Sequence, residues 1–361
     1  MKEIAFPAAA ALIGGIVGSF LNACIHRMPR GISLLDPRRS FCPACGSTIR
    51  WHENVPVVSW LLLRGKCSSC GERISFRYPL VEILTAALFA FAWARYGFPL
   101  ALFYWVLLAL LIAAAFIDIE HFIIPDEITL GGAAAGLLLS ILFPQAMQTT
   151  SRFESLCLSL AAAAFGYGLL WLVVELGKLA FGNKRHHFAK EEPFVLQPDG
   201  NDVTLQIGDE TLSWEEIFAR ESDELVLECA SSSIAGATPV LRFRHDRMIV
   251  ENKETPLAEL NAISGTLRSI VIPREAMGFG DVKLAAAIGG FLGWKAVVFS
   301  LCAGSIIGCL AALAGIFLAR GKAGARVPFG PFLALGAIIW TFCGDEIWAS
   351  YFGLIAGRSV F

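Results

Sequence analysis

Six residues of this chain have types and spacings that could do chemistry: two aspartates at the ends of apolar runs and four cysteines in two pairs. Asp118 closes a run in Phe116-Ile117-Asp118-Ile119-Glu120-His121, and Asp281 opens one in Gly278-Phe279-Gly280-Asp281-Val282-Lys283. An ionisable group in a membrane segment is costly and by default marks function. Two carboxyl groups held close share one proton, so one can activate a water while the other protonates a carbonyl or leaving amine. That chemistry is peptide hydrolysis. The bland reading stands beside it, because GxGD alone is a weak pattern and an aspartate at a helix boundary is commonly a cap. Asp126, in Ile124-Pro125-Asp126-Glu127, reads as a cap or site-shaping residue before the next helix rather than a catalytic one. Glu82 sits near the cysteine-bearing segment and is less easily dismissed.

The cysteines stand as Cys42-Pro43-Ala44-Cys45 and Cys67-Ser68-Ser69-Cys70. Each pair places two thiolates at one edge of a tetrahedron, and two such knuckles close a four-cysteine shell, the usual structural zinc site. A closed shell leaves no position for water, which assigns structure rather than catalysis. Redox CxxC pairs or disulfides are the alternative, disfavoured if the segment is cytoplasmic and reduced. Cys24, Cys157, Cys229, Cys302, Cys309 and Cys343 are scattered, and read as small buried hydrophobes.

The elements that must position these groups are membrane helices. Hydrophobic residues make up 56% of the 361, above the roughly 45–50% of soluble chains, and the excess lies in long runs. Segments 5–25, 79–94, 100–117, 128–143, 156–181, 296–318 and 329–343 approach the roughly 20 residues a span requires. A shorter Gly-rich run, 282–293, makes an eighth. Run 5–25 reads as a retained first helix, not a cleaved signal. The loop 26–77 carries nine basic residues, which places it in the cytoplasm; alternation then puts 118–127, 183–281 and the basic loop 319–327 there as well. Gly14 and Gly18 are spaced for close helix packing.

Residues 183–277 hold 10 basic and 17 acidic side chains, against 29 and 31 in the whole chain, so an acidic insert interrupts a mildly basic membrane body. No basic stripe suggests nucleic acid. Alternation in 203–207 and 240–244 indicates strands, with His245-Asp246 turning the second into 248–250. Ser213-Trp214-Glu215-Glu216 reads as a capping box and Thr255-Pro256 as a second helix start. No internal repeat is evident. The expected architecture is a polytopic all-α membrane protein of about eight transmembrane helices with a cytoplasmic four-cysteine zinc segment and a soluble α+β insert. Its parts are a first helix at 1–25, the zinc segment at 26–77, helices two to five with the first aspartate at 78–183, the insert at 184–272, and the GxGD segment with helices six to eight at 273–361.

Taken together and in order, these features resemble the bacterial prepilin peptidases. Gly18-Ser19-Phe20-Leu21-Asn22 looks like the family's opening. Cys42 to Cys70, with Asn54-Val55-Pro56, Ser59-Trp60-Leu61 and Arg77-Tyr78-Pro79-Leu80-Val81-Glu82, resembles its zinc segment. Asp118 with Ile124-Pro125-Asp126, Glu275-Ala276-Met277-Gly278-Phe279-Gly280-Asp281, and Phe329-Gly330-Pro331 resemble its later motifs. The resemblance covers about 1–183 and 273–345. It implies an inner-membrane aspartic peptidase, with Asp118 and Asp281 catalytic. The enzyme would remove basic leaders from type IV prepilins and type II secretion pseudopilins at the cytoplasmic membrane boundary, typically after glycine. It also implies N-methylation of the new terminus from S-adenosylmethionine, for which no Gly-rich nucleotide motif is visible. The chain departs from the family where the insert replaces a short loop.

Overall fold

The computed structural model of the protein describes residues 2–36, 40–181, 183–199, 202–208, 210–218, 224–234, 240–250, 253–273, 278–318 and 327–355. They form two compact units, Met1–Trp171 with Gly278–Phe361, and Leu172–Met277. In chain order the α-helices are α1 (Lys2–Arg27), α2 (Val58–Leu62), α3 (Arg77–Tyr96), α4 (Leu100–His121), α5 (Asp126–Leu142), α6 (Arg152–Phe181), α7 (Trp214–Ile217), α8 (Phe279–Leu292), α9 (Trp294–Leu318) and α10 (Gly330–Ile355).

Six of these, α1, α3, α4, α6, α9 and α10, are long and apolar enough by length and composition to cross a membrane, so the protein is a multi-pass membrane protein. The expected spans at 128–143 and 282–293 correspond to α5 and α8, of 17 and 14 residues. Their brevity has a structural counterpart. Nearly every residue of α8 from Asp281 to Phe291 is buried, which is the signature of a helix enclosed by protein rather than lipid. Small residues permit that enclosure. A Cβ on Gly136 of α5 would stand 2.9 Å from the Phe291 ring, and Gly166 and Gly289 lie against the backbones of Ala285 and Ala162. Ser159 donates to Gly290 O (2.5 Å), and Ser155 to Ser140 O (2.8 Å). The Gly14/Gly18 pair does the same for α1 and α3: a Cβ at either would come within 2.7 Å of Ala86 Cα or Glu82 Cα. Without a hydrophobic drive between helices in lipid, such close backbone approach is what associates them.

The second unit is built on one eight-stranded antiparallel sheet, in the order β3-β2-β1-β8-β4-β5-β6-β7. Its strands are β1 (Asn183–Asp199), β2 (Asp202–Ile207), β3 (Glu210–Ser213), β4 (Leu225–Ser232), β5 (Val240–Phe243), β6 (Arg247–Val250), β7 (Lys253–Pro256) and β8 (Ile263–Pro273). Alternation sorts each strand into a buried and an open face; in β4, Leu225, Leu227 and Cys229 point in. Trp214, Ile217 and Phe218, in and just after α7, complete this core with Phe194, Leu241 and Phe243. The Trp214 indole, buried among them, donates to His245 O (3.0 Å). The insert is thus sheet-dominated. Thr255-Pro256 does not open a helix as expected, because Thr255 pairs with Met248 in the ladder; a 3-10 turn, Leu257–Glu259, follows instead.

The scattered cysteines divide in a way the sequence did not show. Cys24 and Cys229 are buried, but Cys157, Cys302, Cys309 and Cys343 are exposed on the outward faces of α6, α9 and α10, because a spanning helix turns apolar side chains both inward and outward. Expectations resting on Arg38, Arg39, Arg320, Lys322, Arg326 and Glu275-Ala276-Met277 lie outside the described residues, as do the side chains of the Ser213–Glu216 capping box.

Candidate active site and metal centre

The two aspartates come together although 162 positions separate them. Asp118 lies in the last turn of α4. That helix stops because Phe122 takes a left-handed conformation (φ 56°), its N–H returning to Asp118 O (2.9 Å). Asp281 lies in the first turn of α8. Both side chains are buried, and both face Gly330, the first residue of α10. A Cβ on Gly330 would stand 2.6 Å from Asp118 Oδ2 and 3.2 Å from Asp281 Oδ1, so these two oxygens lie within about 6 Å of each other. Gly330 N–H donates to Asp118 Oδ2 (3.0 Å), placing a carboxylate at a helix N-terminus, where free amides and the dipole favour negative charge. Asp281 Oδ1 is buried with no hydrogen-bond partner among the described residues.

Gly330 is the part of this site that residue-by-residue reasoning missed. The motif Phe329-Gly330-Pro331 was legible only as a resemblance. The available signal was a Gly-Pro pair opening an apolar helix at the membrane boundary shared by both aspartates. Side chains elsewhere lock the frame. Ile124 packs under Gly280, whose Cβ would stand 3.1 Å from Ile124 Cβ, and its Cδ1 comes within 2.9 Å of a Cβ on Gly330. Asp126 does not cap α5 through its side chain. Its Oδ1 instead accepts from Lys283 Nζ (2.5 Å), and Lys283 also lies over the Phe279 ring at 5.2 Å. The segment after the first aspartate is thereby tied to the helix turn that bears the second. Arg77, at the start of α3, pairs with Glu120, two residues after Asp118.

The four cysteines also converge. The sulfurs of Cys42, Cys45, Cys67 and Cys70 all lie within 4.8 Å of one another, and Cys42 and Cys70 are 3.9 Å apart. A tetrahedral zinc with bonds near 2.3 Å requires sulfurs about 3.8 Å apart, so the donor set fits that ion. The knuckles are a local repeat, contrary to the expectation of none. Cys-x-x-Cys-Gly-x-x-Ile recurs at 42–49 and 67–74. Cys42 N–H donates to Ser47 O (2.9 Å) and Cys67 N–H to Glu72 O (2.8 Å), with bridges Phe41–Thr48 and Lys66–Arg73 outside them. Gly46 and Gly71 turn the chain at φ 69° and 74°, which glycine adopts without a steric cost. Ser69 N–H donates to Cys67 Sγ (3.4 Å), which favours the thiolate that ligates metal. Its two copies share only the cysteines, glycine and isoleucine, so little but the cysteine spacing marks it in the sequence.

Glu82 lies beside this segment, not beside the aspartates. It is buried, and its Oε2 accepts from Val57 N–H (2.7 Å).

A polytopic membrane body that brings two buried carboxyl groups to one helix boundary, and separately gathers four cysteines, is an arrangement that can support hydrolysis at the membrane. Comparison with known proteins narrows this. The profile of the Bacterial Peptidase A24 N-terminal domain matches residues 12–96, and that of the Type IV leader peptidase family matches 105–183 and 247–313. The chain belongs to the type IV leader peptidase family. The matched stretches contain Asp118 and Asp281 and omit 184–246, which lies within the sheet unit. Among curated relatives, the Prepilin leader peptidase/N-methyltransferase of Stutzerimonas stutzeri is 26% identical over 97% of this chain and 95% of that protein, and its namesake in Pseudomonas aeruginosa 27% over 96% and 94%. The Myxococcus xanthus protein of the same name is 40% identical over 48% of this chain, a match spanning about half (51%) of that protein. No solved structure matches.

Proposed function

We propose that this chain is a bacterial inner-membrane aspartic endopeptidase. It removes the leader of type IV prepilins and type II secretion pseudopilins at the cytoplasmic boundary, and N-methylates the new terminus. The observation that carries the reading is the convergence of Asp118 and Asp281 on Gly330. The pair shares one proton. One carboxylate takes a proton from a water, which attacks the scissile carbonyl; the other carboxyl protonates the departing amine. The Gly330 amide fixes Asp118 and leaves Asp281 Oδ1 directed at the reacting atoms. The short helix α8, enclosed by its neighbours, and α5 beside it complete eight spans, with the loop 26–77 inside. A prepilin leader is basic and its following helix apolar, so the bond between them lies at the depth of this pair. Incubating the purified protein with a full-length prepilin should yield a shortened product whose N-terminal mass marks the leader boundary; an intact substrate across several prepilins points to a docking protein instead.

Zinc on Cys42, Cys45, Cys67 and Cys70 is structural here, closing the segment between α1 and α3. S-adenosylmethionine, when bound, would supply the methyl group for the new N-terminal amine.

Two further outcomes follow from the locked frame. Gly330→Ala drives a methyl group into Asp118 Oδ2, and a misplacement of about 1 Å costs on the order of 100-fold in rate. Single-turnover cleavage should fall by about that factor with zinc content unchanged; wild-type cleavage would refute the placement of Gly330. Lys283→Met should slow cleavage by about tenfold, because it frees the Asp126 segment from α8. The exchange Asp126→Lys with Lys283→Asp should recover most of the loss. Failure of the exchange together with a harmless Lys283→Met would show that the ion pair positions nothing.

A further inference from the structure

The stretch 55–62 does not sit at the depth of a cytoplasmic loop. Arg77 and Arg95 lie 18 residues apart on α3, about 27 Å by helical rise, and so bracket a hydrocarbon layer roughly 30 Å thick. On that scale Pro56 is deep. A Cβ on Gly15 of α1 would stand 3.5 Å from Pro56 Cβ. Helix α1 runs antiparallel to α3: Asn22 donates to Tyr78 O (3.0 Å), Gly18 lies against Glu82 and Gly14 against Ala86. Gly15 is therefore level with Thr85 and Ala86, about 12–14 Å in from Arg77. Val57 N–H donates to Glu82 Oε2 (2.7 Å), which also lies inside the span.

The backbone of this turn suits a medium without water, where irregular segments must satisfy their polar groups within the protein. Pro56 has no N–H. Val55 N–H donates to Ser59 Oγ (2.8 Å), Val57 N–H to Glu82, Val58 N–H to Pro56 O (2.6 Å) and Ser59 N–H to Val55 O (3.1 Å). Val57 is held at φ 61°, which a β-branched residue adopts only under constraint, and the Glu82 carboxylate supplies one. Helix α2 then turns an apolar face outward. Val58, Leu61 and Leu62, at i, i+3 and i+4, are exposed, whereas Ser59 is buried and the Trp60 indole donates inward to Ile74 O (3.1 Å). The Trp60 ring also meets Phe76 (5.8 Å), which heads an exposed stripe with Leu80 and Ile83 on the spanning helix α3. The outward face of α2 thus continues a lipid-facing surface. The polar neighbours Glu53 and Asn54 turn instead toward the concavity between α1, the knuckles and α3. Arg50 and Arg64 flank the stretch and are exposed, as suits anionic headgroups.

We propose that 55–62 is a re-entrant turn embedded in the cytoplasmic leaflet, with Val58, Leu61 and Leu62 against phospholipid acyl chains and Glu82 tying the turn to α3. The rest of 26–77 stays at the cytoplasmic face. The first knuckle lies outward of the turn, where the Phe41 ring meets His26 (6.5 Å) at the end of α1, and the knuckles still rely on metal for their own fold. The assignment depends on α1 and α3 crossing the bilayer, not on the cleavage chemistry.

The test is photocrosslinking of the full-length protein in vesicles of phosphatidylethanolamine and phosphatidylglycerol, with p-benzoylphenylalanine placed at one position at a time and adducts read by mass. The positions are Leu62, Leu12 on the outward face of α1, and Thr48 on the first knuckle, all three exposed. Position 62 should gain the mass of a phospholipid as readily as position 12, and position 48 should gain none. No lipid adduct at 62 while position 12 reacts would overturn the proposal. An adduct joining two protein chains at 62 would make the face an interface between copies instead. Replacement of the lipid adduct by a prepilin adduct, once prepilin is added, would reassign the face to substrate. In the position-62 protein, Glu82→Gln keeps an acceptor for Val57 N–H and should leave the lipid yield unchanged. Glu82→Ala should cut it about fivefold or more, the population shift expected when a buried amide loses its acceptor. Equal yields in Glu82→Ala and wild type would overturn the tie through Glu82.

Discussion

Replacing Cys42 or Cys67 with serine is expected to strip zinc from the protein and to expose the 40–76 segment to protease. Little else holds that segment. Among its residues only Cys42, Ser59 and Gly65 are buried, whereas Trp51, Leu61 and Leu62 are 84%, 62% and 77% exposed. Its backbone bonds are confined to two knuckles, the short helix α2 and a 3-10 turn at Trp51–Asn54. A segment that buries so little cannot offset its own ordering entropy. Structural zinc supplies roughly 10–16 kcal/mol to small cysteine-bearing folds at neutral pH, and a serine hydroxyl does not replace a thiolate ligand. Wild-type protein should carry one zinc per chain and resist limited proteolysis between 40 and 76. Either variant should carry almost none and be cut there. Full zinc occupancy in Cys67→Ser would contradict the four-thiolate centre.

How much of this was legible beforehand depends on the range of the interaction. The apolar runs gave the long helices, since a span needs only local composition. The four-cysteine cluster was legible because its members lie within 29 residues of chain and each pair has a fixed internal spacing. Asp118 and Asp281 were legible as boundary carboxylates, but residue chemistry alone could not choose between caps and a reacting pair. That choice depends on which helices neighbour α4 and α8, and the close contacts at Gly136, Gly166 and Gly289 which set it leave no local signature. The same holds for Asp126, which reads locally as a cap or site-shaping residue: its pairing with Lys283 exists only across the fold. Glu82 was visible as an anomaly without a partner. Its partner, the Val57 amide, is backbone, and no side-chain pattern announces a backbone donor. In the insert, alternation found the β2, β5 and β6 segments, but Thr255-Pro256 carried a helix-start signal that ladder pairing overrode.

The largest effect should come from the aspartates. Asparagine preserves the volume of each side chain and its ability to accept from an amide, so Asp118→Asn keeps the bond from Gly330 N–H and the packing under Ile124. It removes the proton-transfer capacity. General acid and base groups are each worth about 10²–10⁴ in rate, and groups that act as one unit are not additive. Each single variant should therefore lose on the order of 1,000-fold or more, and the double variant should be no slower than the worse single one. The most direct measurement is single-turnover leader cleavage of one full-length prepilin by wild type, Asp118→Asn, Asp281→Asn and the double variant, read by the N-terminal mass of the product. Two inactive single variants and an equally inactive double variant are what the shared-proton pair requires. Cleavage within tenfold of wild type by either single variant would show that the residue is not catalytic and would contradict the reading of this site.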